Sequence, residues 1–253
     1  MIPWYERSFR REYLNLYAHH TLSEARSDVR AIVKLISPPR EEPLLDLGCG
    51  AGRHLLALVE LGFTKLVGLD LSEELLAVAA ERLSLGDDVC GREVRLIRAD
   101  MRDIPFEDEF ATVLSLFTSF GYFEKDEENE AVLTAVCRSL RAGGTFLIDY
   151  MNRDLVIANL VPRDEMTFSD RFVQNSRCLT DDGRRIEKTT TITTEAGAKR
   201  EFHESVRLYS LPEMRQMLMV SGFVHIRSYG SLGGECFGAE SARLIMVAEK
   251  RER

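Results

Sequence analysis

The stretch that most limits what this chain can become is Leu44-Leu45-Asp46-Leu47-Gly48-Cys49-Gly50-Ala51-Gly52-Arg53-His54. A short apolar run holding one carboxylate enters three glycines on alternate positions, and helical sequence begins at Arg53. Glycine lets the backbone turn sharply and lets a ligand approach the main chain with no Cβ in the way. The dinucleotide fingerprint G-x-G-x-x-G needs a third glycine at position 53, which is Arg, so the spacing is instead GxGxG behind an acidic residue. The bland alternative is a tight strand-to-helix turn with no ligand.

Short apolar runs continue to alternate with amphipathic helices on either side of this turn. A helix carrying Val29, Ile32, Val33 and Ile36 stops at Ser37-Pro38-Pro39, because proline lacks an amide hydrogen and disfavours helix in the residue before it. Strands are expected at 44–47, 65–70, 94–99, 110–116 and 145–150, with helices at 53–61, 73–84 and 126–141. Strands separated by helices imply βαβ units and a parallel sheet. After Asn152 the rhythm changes. Phe168 to Arg177, Arg185 to Thr194 and Lys199 to Tyr209 alternate as strands do, and Asp182-Gly183 and Ala196-Gly197 lie between them as turns. Helical spacing returns at 211–220, followed by strands at about 223–229 and 243–249. The expected organisation is a core formed by 1–152 and 211–253, with an amino-terminal lid helix, interrupted by an antiparallel cap at 153–210.

Composition narrows the function. At 253 residues the chain suits one large domain or a core with an insertion, and 45% hydrophobic content provides that core. A net charge of −8 repels a phosphate backbone unless a local basic face compensates, so nucleic acid is an unlikely partner. Five cysteines without a CxxC pair suggest neither a metal centre nor a disulfide framework, and fit a reduced cytoplasm. No apolar run of about 18 residues occurs, so no membrane span or export signal is expected.

Two further carboxylates give the turn a ligand. Asp70 ends the second strand, where a carboxylate can accept from both hydroxyls of a ribose, and Leu71 follows it. Asp100 ends the third, where it can take an exocyclic amine while Met101 lies against a purine. Together they describe an adenosine site. Asp70 would also suit NAD in a dehydrogenase, but Arg53, the Asp100-Met101 pair and the cap argue against it.

With LLDLGCGAG, LVGLDLS, IRADMRDIPF, VLSLFTSFGYF and LRAGGTFLIDY in this order, the sequence resembles the class I S-adenosylmethionine-dependent methyltransferases, and the cap resembles their small-molecule branch. The resemblance implies an α/β Rossmann-like seven-stranded sheet with helices on both faces. It implies S-adenosylmethionine as cofactor, S-adenosylhomocysteine as product, and a small-molecule acceptor methylated on N, O or C. By the same resemblance Gly48, Gly50 and Gly52 form the cofactor turn, Asp46 lies near the methionine ammonium, and Arg53 can reach its carboxylate. Asp70 and Leu71 serve the ribose, Asp100 and Met101 the adenine, and Leu116 and Phe117 the cofactor from the fourth strand. Tyr5, Tyr13 and Tyr17 are the lid residues able to contact the sulfonium or the carboxylate, Tyr17 being assigned to the cofactor and Tyr5 to the acceptor.

Acceptor residues are expected from the less constrained segments: Tyr122 after the fourth strand, Tyr150 at the end of the fifth, Arg171 and Arg207 in the cap, and Phe237 in the last loop. Alternation places His203, Ser205, Arg207 and Tyr209 on one strand face and Glu204 on the other. Tyr122 and His203 are the candidate catalytic residues, His203 as a proton acceptor, against the simpler account of a solvated sheet face. In-line methyl transfer needs alignment more than acid-base machinery, so no triad is sought. No metal site is expected. The acidic run 124–130 reads as a helix start and Cys49 as a small filler. RNA methylation and a noncatalytic cofactor-binding module stand as alternatives, RNA needing Arg163, Arg171, Arg184, Arg185 and Lys188 on one face. Monomer and homodimer both remain open.

Overall fold

β1 (Leu44–Leu47) and β4 (Phe110–Ser115) are buried along their whole length and lie at the centre of a seven-stranded sheet. A computed structural model describes residues 3–11, 14, 21–84, 93–168 and 170–252. The remaining strands of that sheet are β2 (Lys65–Asp70), β3 (Glu93–Arg98), β5 (Leu140–Met151), β10 (Phe223–Tyr229) and β11 (Arg243–Lys250), in the order β10-β11-β5-β4-β1-β2-β3. β11 is antiparallel to both of its neighbours, while β3, β2, β1, β4 and β5 run parallel.

Alternation along these strands fills two apolar layers, as a sheet covered on both faces requires. Phe146, Ile148 and Tyr150 face a layer shared with α5 (Asp126–Ser139) and α7 (Leu211–Val220). Leu147, between them, faces the opposite layer with α2 (Leu22–Ile36) and α3 (Arg53–Glu60). Each such side chain, fully buried, contributes about 1.5–3 kcal/mol. α2 starts on a capping box between Thr21 and Glu24 and ends at Ser37, whose φ of 45° turns the chain into Pro38-Pro39. α1 (Trp4–Ser8) and α4 (Glu73–Ser84) complete the helices around the carboxyl ends of β1 to β4, and none of the described helices is long and apolar enough to cross a membrane.

A second, wholly antiparallel sheet lies between β5 and α7 in the chain: β6 (Arg163–Thr167), β7 (Arg171–Leu179), β8 (Arg185–Thr194) and β9 (Lys199–Arg207). It has four strands where alternation suggested three. The expected first strand at 168–177 starts later, because Phe168 lies in a turn and its N–H donates to the Arg171 carbonyl (2.8 Å), leaving 163–167 as a further strand. A short helix, α6 (Arg153–Ala158), was also not anticipated; the Asn152 side chain caps it by accepting from the Asp154 N–H. α5 ends at Ser139 and not at 141, since Leu140 is already extended and opens β5.

Guanidinium groups fasten this cap to the core. Arg185 donates to the carbonyls of Gly121 (3.3 Å), Tyr122 (3.2 Å) and Phe123 (2.8 Å). Buried Arg207 pairs with Asp126 of α5 and Glu213 of α7, each at 3.1 Å, and Tyr209 donates to the same Asp126 (2.6 Å). At the other end, Ser8 of α1 exchanges hydrogen bonds with the main chain of His203 (2.7 and 3.2 Å), and the Arg11 N–H donates to Glu74 of α4 (2.9 Å).

Candidate functional site

A cavity of about 990 Å³ opens where β1, β2, β3 and β4 end, between the core and the cap. Its floor is the glycine turn. Gly48, Gly50 and Gly52 have φ of 74°, 52° and 72°, the left-handed region that glycine enters without strain. A Cβ on Gly48 would lie 2.8 Å from the Ser119 Cβ, and one on Gly52 would lie 2.9 Å from the Ala79 Cβ of α4. Gly48 and Gly50 line the cavity, whereas Gly52 sets the packing of the turn on α4.

Asp70 ties the turn to the end of β2: its Oδ2 accepts the Gly50 N–H and its Oδ1 the Ser72 N–H, both at 2.8 Å. Burial raises its pKa against these backbone hydrogen bonds. A carboxylate oxygen accepts more than one hydrogen bond, so capacity remains on the cavity side. Asp46 lies beneath the turn, buried, and its Oδ2 has no partner among the described residues. Burial pushes its carboxyl up to about 6, with His54 and Arg53 pulling the other way. An unsatisfied buried carboxylate oxygen costs free energy, so it marks a place where a donor belongs.

Arg53 opens α3 and lines the cavity with its guanidinium 4.7 Å from the centre of the Phe117 ring. Burial lowers its pKa, while Asp28, Asp46, Glu24 and Asp149 oppose the shift. Leu71, just after β2, and Asp100 and Met101, past β3, also line the cavity. The Asp100 carboxylate accepts from Arg102 Nη2 (2.7 Å), and Arg102 continues to Glu128 (2.5 Å). Burial alone would raise the Asp100 pKa, but the hydrogen bonds and charge of Arg102 hold it below the usual value. After β4, Leu116 and Phe117 reach the cavity wall. Phe117 and Thr118 have φ of 57° and 60°. For such side chains this conformation costs roughly 1–3 kcal/mol each and needs support from its surroundings.

The cap side of the cavity is aromatic and acidic. Tyr122 lies edge-on to Trp4 and tilted against Phe9, both 5.3 Å away, and Tyr5 meets Phe123 at 5.4 Å. Burial raises the pKa of Tyr5. Glu204 and Val206 of β9 complete this wall.

Several expected acceptor residues lie elsewhere. His203 is exposed, its Nδ1 3.4 Å from Thr189 Oγ1, because the face of β9 turned to the cavity is that of Glu204. Arg207, on the His203 side of the strand, is occupied by Asp126 and Glu213. Arg171 pairs with Asp170 (3.0 Å) at the tip of the cap hairpin, over the Phe168 ring. Tyr150 is fully buried and donates to the Arg207 carbonyl. Phe237 packs on the core. Tyr13 and Tyr17 lie outside the described residues. Phe9, Thr118, Met151, Glu204 and Arg243 line the cavity without having been expected there. Only Glu204 carried a signal in the sequence, as the acidic residue on the alternate face of its strand.

Comparison with known proteins supplies what the geometry leaves open. Residues 44–144 match the family described as "Methyltransferase domain". The cypemycin N-terminal methyltransferase of a Streptomyces species is 27% identical over 217 residues, covering 82% of this chain and 83% of that protein. The dTDP-3-amino-3,4,6-trideoxy-alpha-D-glucopyranose N,N-dimethyltransferase of Streptomyces venezuelae is 30% identical over 181 residues, 71% of this chain and 67% of that protein. In fold, the chain matches the crystal structure of an S-adenosylmethionine-dependent methyltransferase from Clostridium acetobutylicum with a TM-score of 0.79 over 94% of this chain and 95% of that one, at 15% identity. The chain therefore belongs to the class I S-adenosylmethionine-dependent methyltransferases.

Proposed function

We propose that this methyltransferase acts on an amine of a small molecule held beneath the cap. The observation that carries the reading is the composition of the cap-side wall, where the rings of Tyr5, Phe9, Tyr122 and Phe123 surround a cavity that also meets Glu6 and Glu204. Aromatic faces and carboxylates attract an ammonium and hold an amine in place. The Streptomyces venezuelae relative is named as an N,N-dimethyltransferase and the cypemycin relative as one that acts at an N-terminus, which agrees.

For the cofactor, the chain offers a turn whose Gly48 and Gly50 line the cavity and an orphaned carboxylate oxygen on Asp46 beneath it, which together suit an amino-acid nucleoside. On this reading Asp46 answers the methionine ammonium and Arg53 the carboxylate. Asp70 takes the ribose hydroxyls, Asp100 and Met101 the adenine, and Leu71, Leu116 and Phe117 the surrounding surface. When bound, S-adenosylmethionine supplies an electrophilic methyl group on a sulfonium, released as S-adenosylhomocysteine. The protein's part is to aim the acceptor and exclude water. Tyr122 and Tyr5 bracket the nucleophile, which attacks as the neutral amine with its N–H donating to the Glu204 carboxylate, 3.2 Å from Lys188. As the carbon–nitrogen bond forms and the carbon–sulfur bond breaks, the proton leaves the nitrogen by way of Glu204 to solvent.

RNA as acceptor is disfavoured by more than net charge. Of the five basic cap residues that such a reading needs, Arg171 pairs with Asp170, Arg184 with Asp126 and Lys188 with Glu204, while Arg185 is fixed on main-chain carbonyls. A panel of small amines and their hydroxyl counterparts, incubated with methyl-labelled cofactor, tests the proposal. Label is expected on amines alone; label confined to hydroxyls, or to tRNA, would refute it.

A further inference from the structure

After β4 the chain doubles back over the end of β5 through Phe117 and Thr118, both left-handed. A β-branched and an aromatic residue stay there only when their neighbours over-determine the conformation. Those neighbours are two residues to which the proposed function gives no role. Asp149 of β5 accepts the Phe117 N–H at Oδ2 (3.0 Å), and its main-chain carbonyl accepts the Thr118 N–H (2.9 Å). Arg243, the first residue of β11, donates through Nε to Asp149 Oδ1 (2.7 Å) and through Nη2 to Thr118 Oγ1 (3.0 Å). One guanidinium fork thus grips both the carboxylate that holds the turn and the hydroxyl of the turn itself. Asp149 is buried, and the pairing of β11 with β5 fixes Arg243 within reach of it.

We infer that Asp149 and Arg243 form a positioning pair for the cofactor site: they hold the strained Phe117-Thr118 turn, and with it the Phe117 ring, in the cavity wall beside Arg53. Arg53 and Arg243 stand 4.7 and 6.0 Å from the centre of that ring, so displacing the turn moves the surface that both guanidiniums flank. The pair acts through the backbone of the turn, and this separates it from a direct ligand contact by Arg243 and from a plain strut between two strands.

The test is a cycle of Arg243→Gln and Thr118→Gly, read as S-adenosylhomocysteine affinity by calorimetry and as unfolding temperature, with wild-type binding as the control. Glycine takes a positive φ without strain, so it lessens the turn's need for a holder. Arg243→Gln is expected to weaken binding about tenfold in the wild-type background and by no more than about twofold in the Thr118→Gly background. A strut lowers the unfolding temperature and leaves affinity alone; a direct contact costs the same in both backgrounds. Either result overturns the inference. Should Arg243→Gln fail to fold, Arg243→Lys takes its place in the cycle, because it keeps the charge but cannot supply the fork. The same two comparisons then decide.

Discussion

Asp70 receives main-chain N–H groups, from Gly50 and Ser72, whereas Arg185 gives its hydrogens to main-chain carbonyls, of Gly121, Tyr122 and Phe123. The two contacts stand for two ways of building a wall of one cavity. On the sheet side, a turn of fixed φ and the ends of parallel strands do the placing, and side chains adjust it. On the cap side, long cationic side chains reach from the antiparallel sheet to the core, where they meet main-chain carbonyls and carboxylates. The first wall is rigid because of what glycine permits. The second depends on individual guanidinium contacts, so single substitutions should separate cofactor affinity from acceptor turnover.

The sheet side should break most sharply. Gly48→Ala places a Cβ 2.8 Å from the Ser119 Cβ at a φ of 74°, and calorimetry should show S-adenosylhomocysteine affinity falling by about a hundredfold or more. On the cap side, Arg185→Ala takes the guanidinium from three carbonyls, of which Gly121 keeps the Arg207 N–H and Phe123 keeps the Asn129 side-chain amide. Steady-state assays should show acceptor kcat/KM down about thirtyfold, with cofactor affinity changed less than about threefold. Equal losses in both would contradict the division between the walls.

Asp46→Asn sharpens the comparison through pH. The folded carboxyl titrates near 6, above its unfolded value of 3.8, so the native state holds the proton more tightly. Its stabilising contribution is present below the unfolded pKa and is lost as pH rises towards 6, which amounts to roughly 3 kcal/mol of burial cost above that point. Chemical denaturation of the ligand-free protein should therefore find Asp46→Asn more stable than wild type at pH 7.5. The advantage should shrink between pH 6 and 4. An advantage that does not vary with pH would show that the carboxylate is not desolvated. The smallest effect belongs to His203→Ala, whose ring points away from the cavity: acceptor kcat/KM should stay within about twofold of wild type.

The same contrast explains what was legible in the sequence. Gly48, Asp70 and Asp100 could be read because their chemistry is local: a glycine needed for a positive φ and carboxylates at strand ends stand in fixed order along the chain. The seven-stranded sheet could be read because buried parallel strands alternate with helices. The cap could be foreseen as antiparallel, yet not the extra strand at 163–167, whose exposed and charged residues hide its pairing. Nor could the inward face of β9 be read, because alternation sorts His203 from Glu204 without telling which of them meets the core. Arg207 offered the right chemistry for an acceptor anchor, but its pairing with Asp126 and Glu213, 81 and 6 residues away, exists only in the folded chain. The Asp149–Arg243 pair, 94 residues apart, was hidden for the same reason.

A calorimetric titration of S-adenosylhomocysteine into wild type, Asp70→Ala and Glu204→Gln tests the division most directly. The expected result is saturable binding by wild type, a loss of about a hundredfold or more in Asp70→Ala, and an affinity within about threefold of wild type in Glu204→Gln. Binding by Asp70→Ala that matches wild type, or an equal collapse in Glu204→Gln, would contradict it.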